Sequence, residues 1–279
     1  LFAVAFASII SRIFSQVYQA VMQDARSAHQ TRIGLIKEPF GLGLLFPTSF
    51  KLFGEIRHAN VMEHSRLIDL SHVVEDGLIT YKGLPAPVVC DFLSREESRR
   101  LYAEGTEFQI GRIDMVANTG TYLDSPFHRY PNGKDLSELT LESLAHLEGI
   151  VVRAGAGREI GPSAFQGLDL AGKAVLVRTG WDVHWKTDQY FEGHPFLNAD
   201  AAKFLVDAGA TLVGIDSLNI DDTDDLSRPV HTILLGSEVL IVEHLCNLDA
   251  LPLIGFKFYA VPVKVKGFGT FPVRAFGII

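Results

Sequence analysis

Cysteine is scarce: the chain has two in 279 residues, Cys90 and Cys246, far apart and each in apolar surroundings. A disulfide-stapled scaffold is excluded, and buried free thiols are the expectation. Basic charge is short as well. Lys and Arg number 25 against 33 Asp and Glu, a net charge of −8, which argues against non-specific binding to a phosphate backbone. There is no zinc-finger spacing, no Walker loop and no basic aromatic array, so nucleic acid is not an expected partner. Long apolar runs are missing too. The opening "LFAVAFASII" is about half of the roughly 20 residues that span a bilayer. Arg12 and Gln16 follow it, and no basic region precedes it as in a secretory signal. We expect no membrane partner and a cytoplasmic protein.

What is there is an ordinary globular composition, 47% hydrophobic and 21% charged, enough for one large domain or two small ones. Its character changes at Met62. Before it, Ile10, Ile13, Val17 and Val21 give a loose helical period, followed by the Gly-, Pro- and Phe-rich "GLIKEPFGLGLLFPTSF". Residues 1–61 are therefore expected to be an N-terminal extension, non-native or poorly ordered, with the domain at 62–279. From Arg66 onward strands and helices alternate without an internal repeat. "RLIDLSHVV", "EFQIGRIDMVANTG", "GIVVRAGA", "KAVLVRTGW", "TLVGIDSLNID" and "VLIVEHL" read as strands. "SREESRRLYAEG" reads as a helix start capped by Ser94, and "NADAAKFLVDAGA" as a helix capped by Asn198 and closed by Gly209. "LSELTLESLAHLEG" reads as a short helix from Thr140 to Gly149, and "HTILLGS" as another. "FKFYAVPVKVKGF" ends the chain in β character. This pattern predicts an α/β domain around one mixed sheet.

The densest chemistry lies in "NTGTYLDSPFH", residues 118–128. Asn118, Tyr122, Asp124 and His128 share one parity and would face the same way in an extended chain. Gly120 and Pro126 indicate that the segment is not a strand throughout. Two further groups end predicted strands: Asp216, Asp221 and Asp222 in "GIDSLNIDDTDD", and His231 with Glu243 on either side of "TILLGSEVLIV". Imidazole with carboxylates at a sheet rim suits Zn²⁺ or Mn²⁺. The bland readings are a solvated acidic loop at 221–225, a helix-capping His231 and an ion-paired Glu243. A glutamate inside "VLIVEHLCNL" fits the bland reading poorly, because a charge on a buried strand is costly without a partner. Trp181, Trp185 and Phe127 could line an aromatic pocket, although core packing explains each as well.

The run "GTYLDSPFH", together with "RLIDLSH", "LVRTGW", "HPFLNADAAKFLVDAGATLVGIDSLNID", "HTILLGSEVLIVEHLCNL" and "FYAVPVKV", resembles the cyclase-type metal hydrolases. That family includes bacterial kynurenine formamidases and isatin hydrolases. The resemblance implies a single swivelling β/β/α-type domain, a homo-oligomer (dimer or tetramer), and metal-assisted opening of small amides or cyclic amides. Its implied substrates are of the N-formylkynurenine or isatin type, in tryptophan catabolism. The family pattern is His-x-Gly-Thr-His-x-Asp-x-Pro-x-His. Asp124, His128, His231 and Glu243 match family positions, whereas Asn118 and Tyr122 stand where the first two metal-binding histidines would be.

The resemblance therefore implies one divalent metal at most, Zn²⁺ or Mn²⁺, on Asp124, His231 and Glu243. It implies His128 as the proton-transfer group, with Tyr122 as a hydrogen-bond donor to the oxyanion or a plug filling the lost imidazole space. A metal-free site of altered chemistry and a non-catalytic small-molecule binder are the alternatives.

Overall fold

The computed structural model describes residues 65–155 and 157–279; the extension expected at 1–61 lies outside them. No helix among the described residues is long and apolar enough to cross a membrane.

Four parallel strands form the centre: β5 (Leu147–Arg153), β7 (Ala174–Arg178), β9 (Leu212–Ile215) and β10 (Leu240–Glu243). Beyond β5 the sheet continues antiparallel through β11 (Phe256–Tyr259), β13 (Phe276–Ile278) and β1 (Leu67–Asp69). Beyond β10 it continues through β4 (Tyr122–Asp124) and β12 (Thr270–Pro272), also antiparallel. The nine strands make one mixed sheet, as the alternation predicted. β6 (Glu159–Ile160) and β8 (Phe196–Leu197) form a separate parallel pair.

The central strands are apolar throughout because both their faces are covered. Side chains alternate between two cores. Val151, Leu176, Leu212 and Val242 join Phe256 and Phe258 on one side. Ile150, Val175, Val177, Val213, Ile215 and Ile241 join Ala201, Leu205, Val230 and Leu234 on the other. A one-residue slip would exchange these sets, so burial fixes the register. Truncating Leu176, fully buried, to Ala would cost about 2–5 kcal/mol.

The second core is the underside of two helices. α2 (Ala199–Asp207) begins at Asn198, whose side chain accepts from Ala201 N, and Gly209 follows it with φ +76°. α3 (Pro229–Gly236) starts with proline, which needs no partner for an N–H it lacks. The Ser94 cap also forms, a reciprocal pair with Glu97, although α1 (Arg95–Ser98) is one turn long.

Two expectations change. The helix from Thr140 to Gly149 is only a 3₁₀ turn, Leu141–Ser143, and Gly149 lies in β5. A Cβ there would sit 2.1 Å from the Phe256 ring, so this glycine serves a close cross-strand contact, not a helix end. Cys246 is buried but Cys90 is exposed. Cys90 belongs to a ribbon of β2 (Val88–Leu93) and β3 (Ile110–Asp114), which pair with each other apart from the large sheet. Val88, Phe92, Ile110 and Ile113 on this ribbon are exposed.

Candidate functional site

Strand register assembles one side of the site. Glu243 on β10 pairs with Tyr122 on β4, and Asp124 on β4 pairs with Thr270 on β12. Directly opposed residues project to the same face, and so do Tyr122 and Asp124, two apart. Four polar side chains from three strands therefore share the helix-covered face. α3 supplies His231 from its first turn.

His128 arrives by another route. After β4 the chain enters a 3₁₀ turn, Pro126–His128. Gly269 accepts from Ser125 N at 2.7 Å, and a Cβ on Gly269 would stand 2.3 Å from His128 N. Only glycine permits that approach. It brings Thr270 Oγ1 to 2.8 Å from His128 Nδ1, while the same hydroxyl donates to Asp124 Oδ1. The hydroxyl has one proton, which goes to the carboxylate. Its oxygen then accepts from Nδ1–H, and this leaves His128 Nε2 as the basic nitrogen.

His231 is held from behind. Asp221 Oδ2 stands 2.6 Å from His231 Nδ1, and its carboxylate also accepts from Val230 N and His231 N at 2.7 and 3.0 Å. Asp221 thus caps α3 and fixes His231 Nε2 toward the sheet. That nitrogen is 3.7 Å from both Asp124 Oδ2 and Glu243 Oε1. Glu243 accepts from Ile220 N at 2.7 Å and from Tyr122 Oη at 2.6 Å, with Asn219 Nδ2 at 3.3 Å. Asp124 Oδ2 is buried without a hydrogen bond.

Three buried carboxylates around one imidazole make a cage in want of positive charge. Burial opposes charge on His231, yet the Asp124 carboxylate 3.7 Å away, the hydrogen bond to Asp221 and the nearby Glu243 prevail and raise it to about 10. Burial pushes Glu243 up to about 7 against the pull of His231. Asp124 is also penalised by burial, but His128 and His231 together hold it below the usual carboxylate range. Burial, then Glu243 and Asp124, raise Tyr122 well above 10, so it stays a neutral phenol.

The cavity above this floor has a volume of about 520 Å³, within the range of small-molecule sites. Tyr122, His128, His231 and Glu243 line it, with Asn118, Asn219, Tyr81, Arg129 and Arg228. Donor atoms of Asp124, His128 and His231 lie within 4.8 Å of one another. Four of the five candidate residues thus line one space, and Asp124, fully buried, lies against His128 and His231 without lining it. Of the two roles expected of Tyr122, oxyanion donor or plug, the first meets a competitor: its single phenolic proton is directed at Glu243.

The other acids divide. Asp221 is fully buried and orients His231, so it is no part of a solvated loop. Asp216 binds Thr179 N, Thr179 Oγ1 and Gly180 N, and Asp222 pairs with Arg158 at 3.7 Å. Trp185 stacks on His72 at 3.9 Å, and Trp181 Nε1 donates to Tyr190 O. Neither tryptophan, nor Phe127, lines the cavity. Thr270, Asn219 and Arg228 carried no sequence signal; only the pairing of β12 with β4 places Thr270 here.

The chain is matched by the family model described as "Cyclase: Putative cyclase" over residues 68–222. A kynurenine formamidase of Bacillus anthracis is 28% identical over 216 residues, covering 77% of this chain and 98% of that protein. A solved structure described as a potential metal-dependent hydrolase with cyclase activity superposes with a TM-score of 0.64 at 25% identity. It covers 77% of this chain and 98% of its own. Isatin hydrolase A from Labrenzia aggregata, bound to benzyl benzoate, gives 0.66 at 20% identity over 78% and 95% of the two chains, a likeness of fold. With its α/β mixed sheet and more than half its length matched, the chain belongs to the putative cyclase family.

Proposed function

We propose that this protein hydrolyses the C–N bond of a small amide, of the arylformamide or cyclic amide kind, with a water activated beside His128. The observation that carries the reading is the buried, unbonded Asp124 Oδ2 facing His231 Nε2 across 3.7 Å. An oxygen kept unpaired in a low-dielectric site is costly unless something binds it. Asp124, His231 and Glu243 fit one divalent ion, Zn²⁺ or Mn²⁺: oxygen and imidazole donors, surplus negative charge, and a carboxylate behind the histidine. His128 is the more exposed residue, and its Nδ1 is engaged by Thr270, which suits a base at the cavity mouth better than a ligand.

A bound ion would polarise the scissile carbonyl and lower the pKa of its water. His128 Nε2 takes the water's proton as the C–O bond forms, then delivers it to the departing nitrogen as the C–N bond breaks. Thr270 keeps the basic nitrogen turned to the substrate, and Tyr122 holds Glu243 in place. Kynurenine formamidase relatives and a solved structure of the same fold, described as a potential metal-dependent hydrolase, support the assignment. We also propose a homo-oligomer, with the exposed apolar ribbon of β2 and β3 as the contact, because an isolated two-stranded ribbon is marginal in water. Formate release from formanilide by the full chain, with and without added Zn²⁺ or Mn²⁺, tests the activity. Absence of turnover under every condition would refute it.

A further inference from the structure

Arg228 carries a positive charge that the fold does not neutralise. It precedes α3 with φ +48°, a left-handed conformation that side-chain-bearing residues rarely adopt. Its half-buried side chain lines the cavity. Nη1 donates to the backbone carbonyl of Asp222 at 2.6 Å and approaches that of Asp225 at 3.5 Å. Among the described residues no carboxylate lies within ion-pair distance of it. The nearby acids are engaged elsewhere: Asp222 with Arg158 at 3.7 Å, and Asp225 with Ser227 N and Oγ. Arg129 also lines the cavity, its Nε bonded at 3.2 Å to the hydroxyl of Thr232, whose N–H donates to Arg228 O, and it too has no carboxylate partner among the described residues.

The cavity floor is anionic and the two guanidiniums stand at its wall, so the site has two electrostatic ends. A divalent ion held on the floor would offset the charge of its own ligands, Asp124 and Glu243, while Asp221 is bonded to His231; the guanidiniums of Arg228 and Arg129 bond instead to a backbone carbonyl and a hydroxyl. A guanidinium held by one nitrogen to backbone carbonyls keeps other N–H groups for a planar anion. We propose that Arg228, with Arg129 beside it, forms a carboxylate subsite, so that the preferred substrate is a small amide bearing a carboxylate. This rests on the amide-hydrolase reading for the scissile end only; the anion subsite is a separate property.

Two probes differing only in that group decide the matter: formanilide and 2-formamidobenzoate, each at full kcat/KM. The wild-type chain should favour the carboxylated amide at least tenfold. Arg228→Gln should reduce that ratio by about 10- to 100-fold, the range for a hydrogen-bonded charge, and Arg228→Lys should retain part of it. An absent preference, or one unaltered in Arg228→Gln, overturns the subsite. If neither amide is turned over, the hydrolase reading is what fails, and binding of 2-aminobenzoate, followed by its fluorescence, decides the subsite. Saturable binding weakened at least tenfold in Arg228→Gln supports it. No saturable binding to millimolar concentration, or equal binding by the variant, overturns it.

Discussion

Thr270 Oγ1 lies 2.8 Å from His128 Nδ1 and donates its own proton to Asp124, so one hydroxyl joins the base to a buried carboxylate. Thr270→Val keeps the shape and removes the link. Turnover should fall about tenfold or more through misorientation of the imidazole, with the pH–rate profile displaced, and Thr270→Ser should restore both. An unchanged pH profile in the valine variant would mean that Thr270 only packs.

His128 should be the residue most sensitive for the rate. His128→Ala is expected to lower kcat by about 10²- to 10⁴-fold, the usual range for general acid–base catalysis. Its position at the cavity mouth predicts little change in Tm. Bound metal should persist in this variant, because the ligands assigned are the buried ones. Wild-type turnover in His128→Ala would end this account of proton transfer.

The motif at 118–128 was legible for Tyr122 and Asp124, whose shared face follows from two-residue spacing in a real strand. His128 has the same parity but reaches the site through the 3₁₀ turn and the Gly269 contact, so alternation does not explain it. The helix capped by Asn198 was readable because cap, amphipathic period and closing glycine agree. The segment 140–149 was not, since Gly149 reads as a helix end until Phe256 is placed across from it. Asp221 looked like one acid among several. Its burial depends on α3 folding back over the sheet, a tertiary fact with no local signature.

Acid lability should trace in part to His72, stacked on Trp185. Burial, and then the Lys186 cation, push its imidazole down to about 4. The unfolded chain therefore binds the extra proton between about pH 6.5 and 4. The contribution is fully present above pH 6.5 and is lost as pH falls through that window. Urea unfolding at pH 7 and pH 5 should show a smaller loss of stability in His72→Phe, which keeps a stacked ring, than in the parent. Equal losses would contradict the assignment.

The ribbon makes the oligomer testable. Phe92 is 72% exposed, and Phe92→Glu places a charge on the proposed contact. Light scattering after size exclusion should give a dimer or tetramer for the parent and a smaller species for the variant. A parent that is monomeric, or an unchanged mass in Phe92→Glu, would exclude this surface.

The central claim is a single metal position built from Asp124, His231 and Glu243, Asn118 and Tyr122 having replaced two nitrogen donors that the family pattern would supply. The most direct measurement is metal content per chain, by elemental analysis of the full protein purified without chelator, alongside turnover before and after chelation. The account requires no more than one equivalent of Zn²⁺ or Mn²⁺, lost in Asp124→Asn and in His231→Ala, with activity lost on chelation and restored by the ion. Two tightly held equivalents, or full activity in chelator, would contradict it.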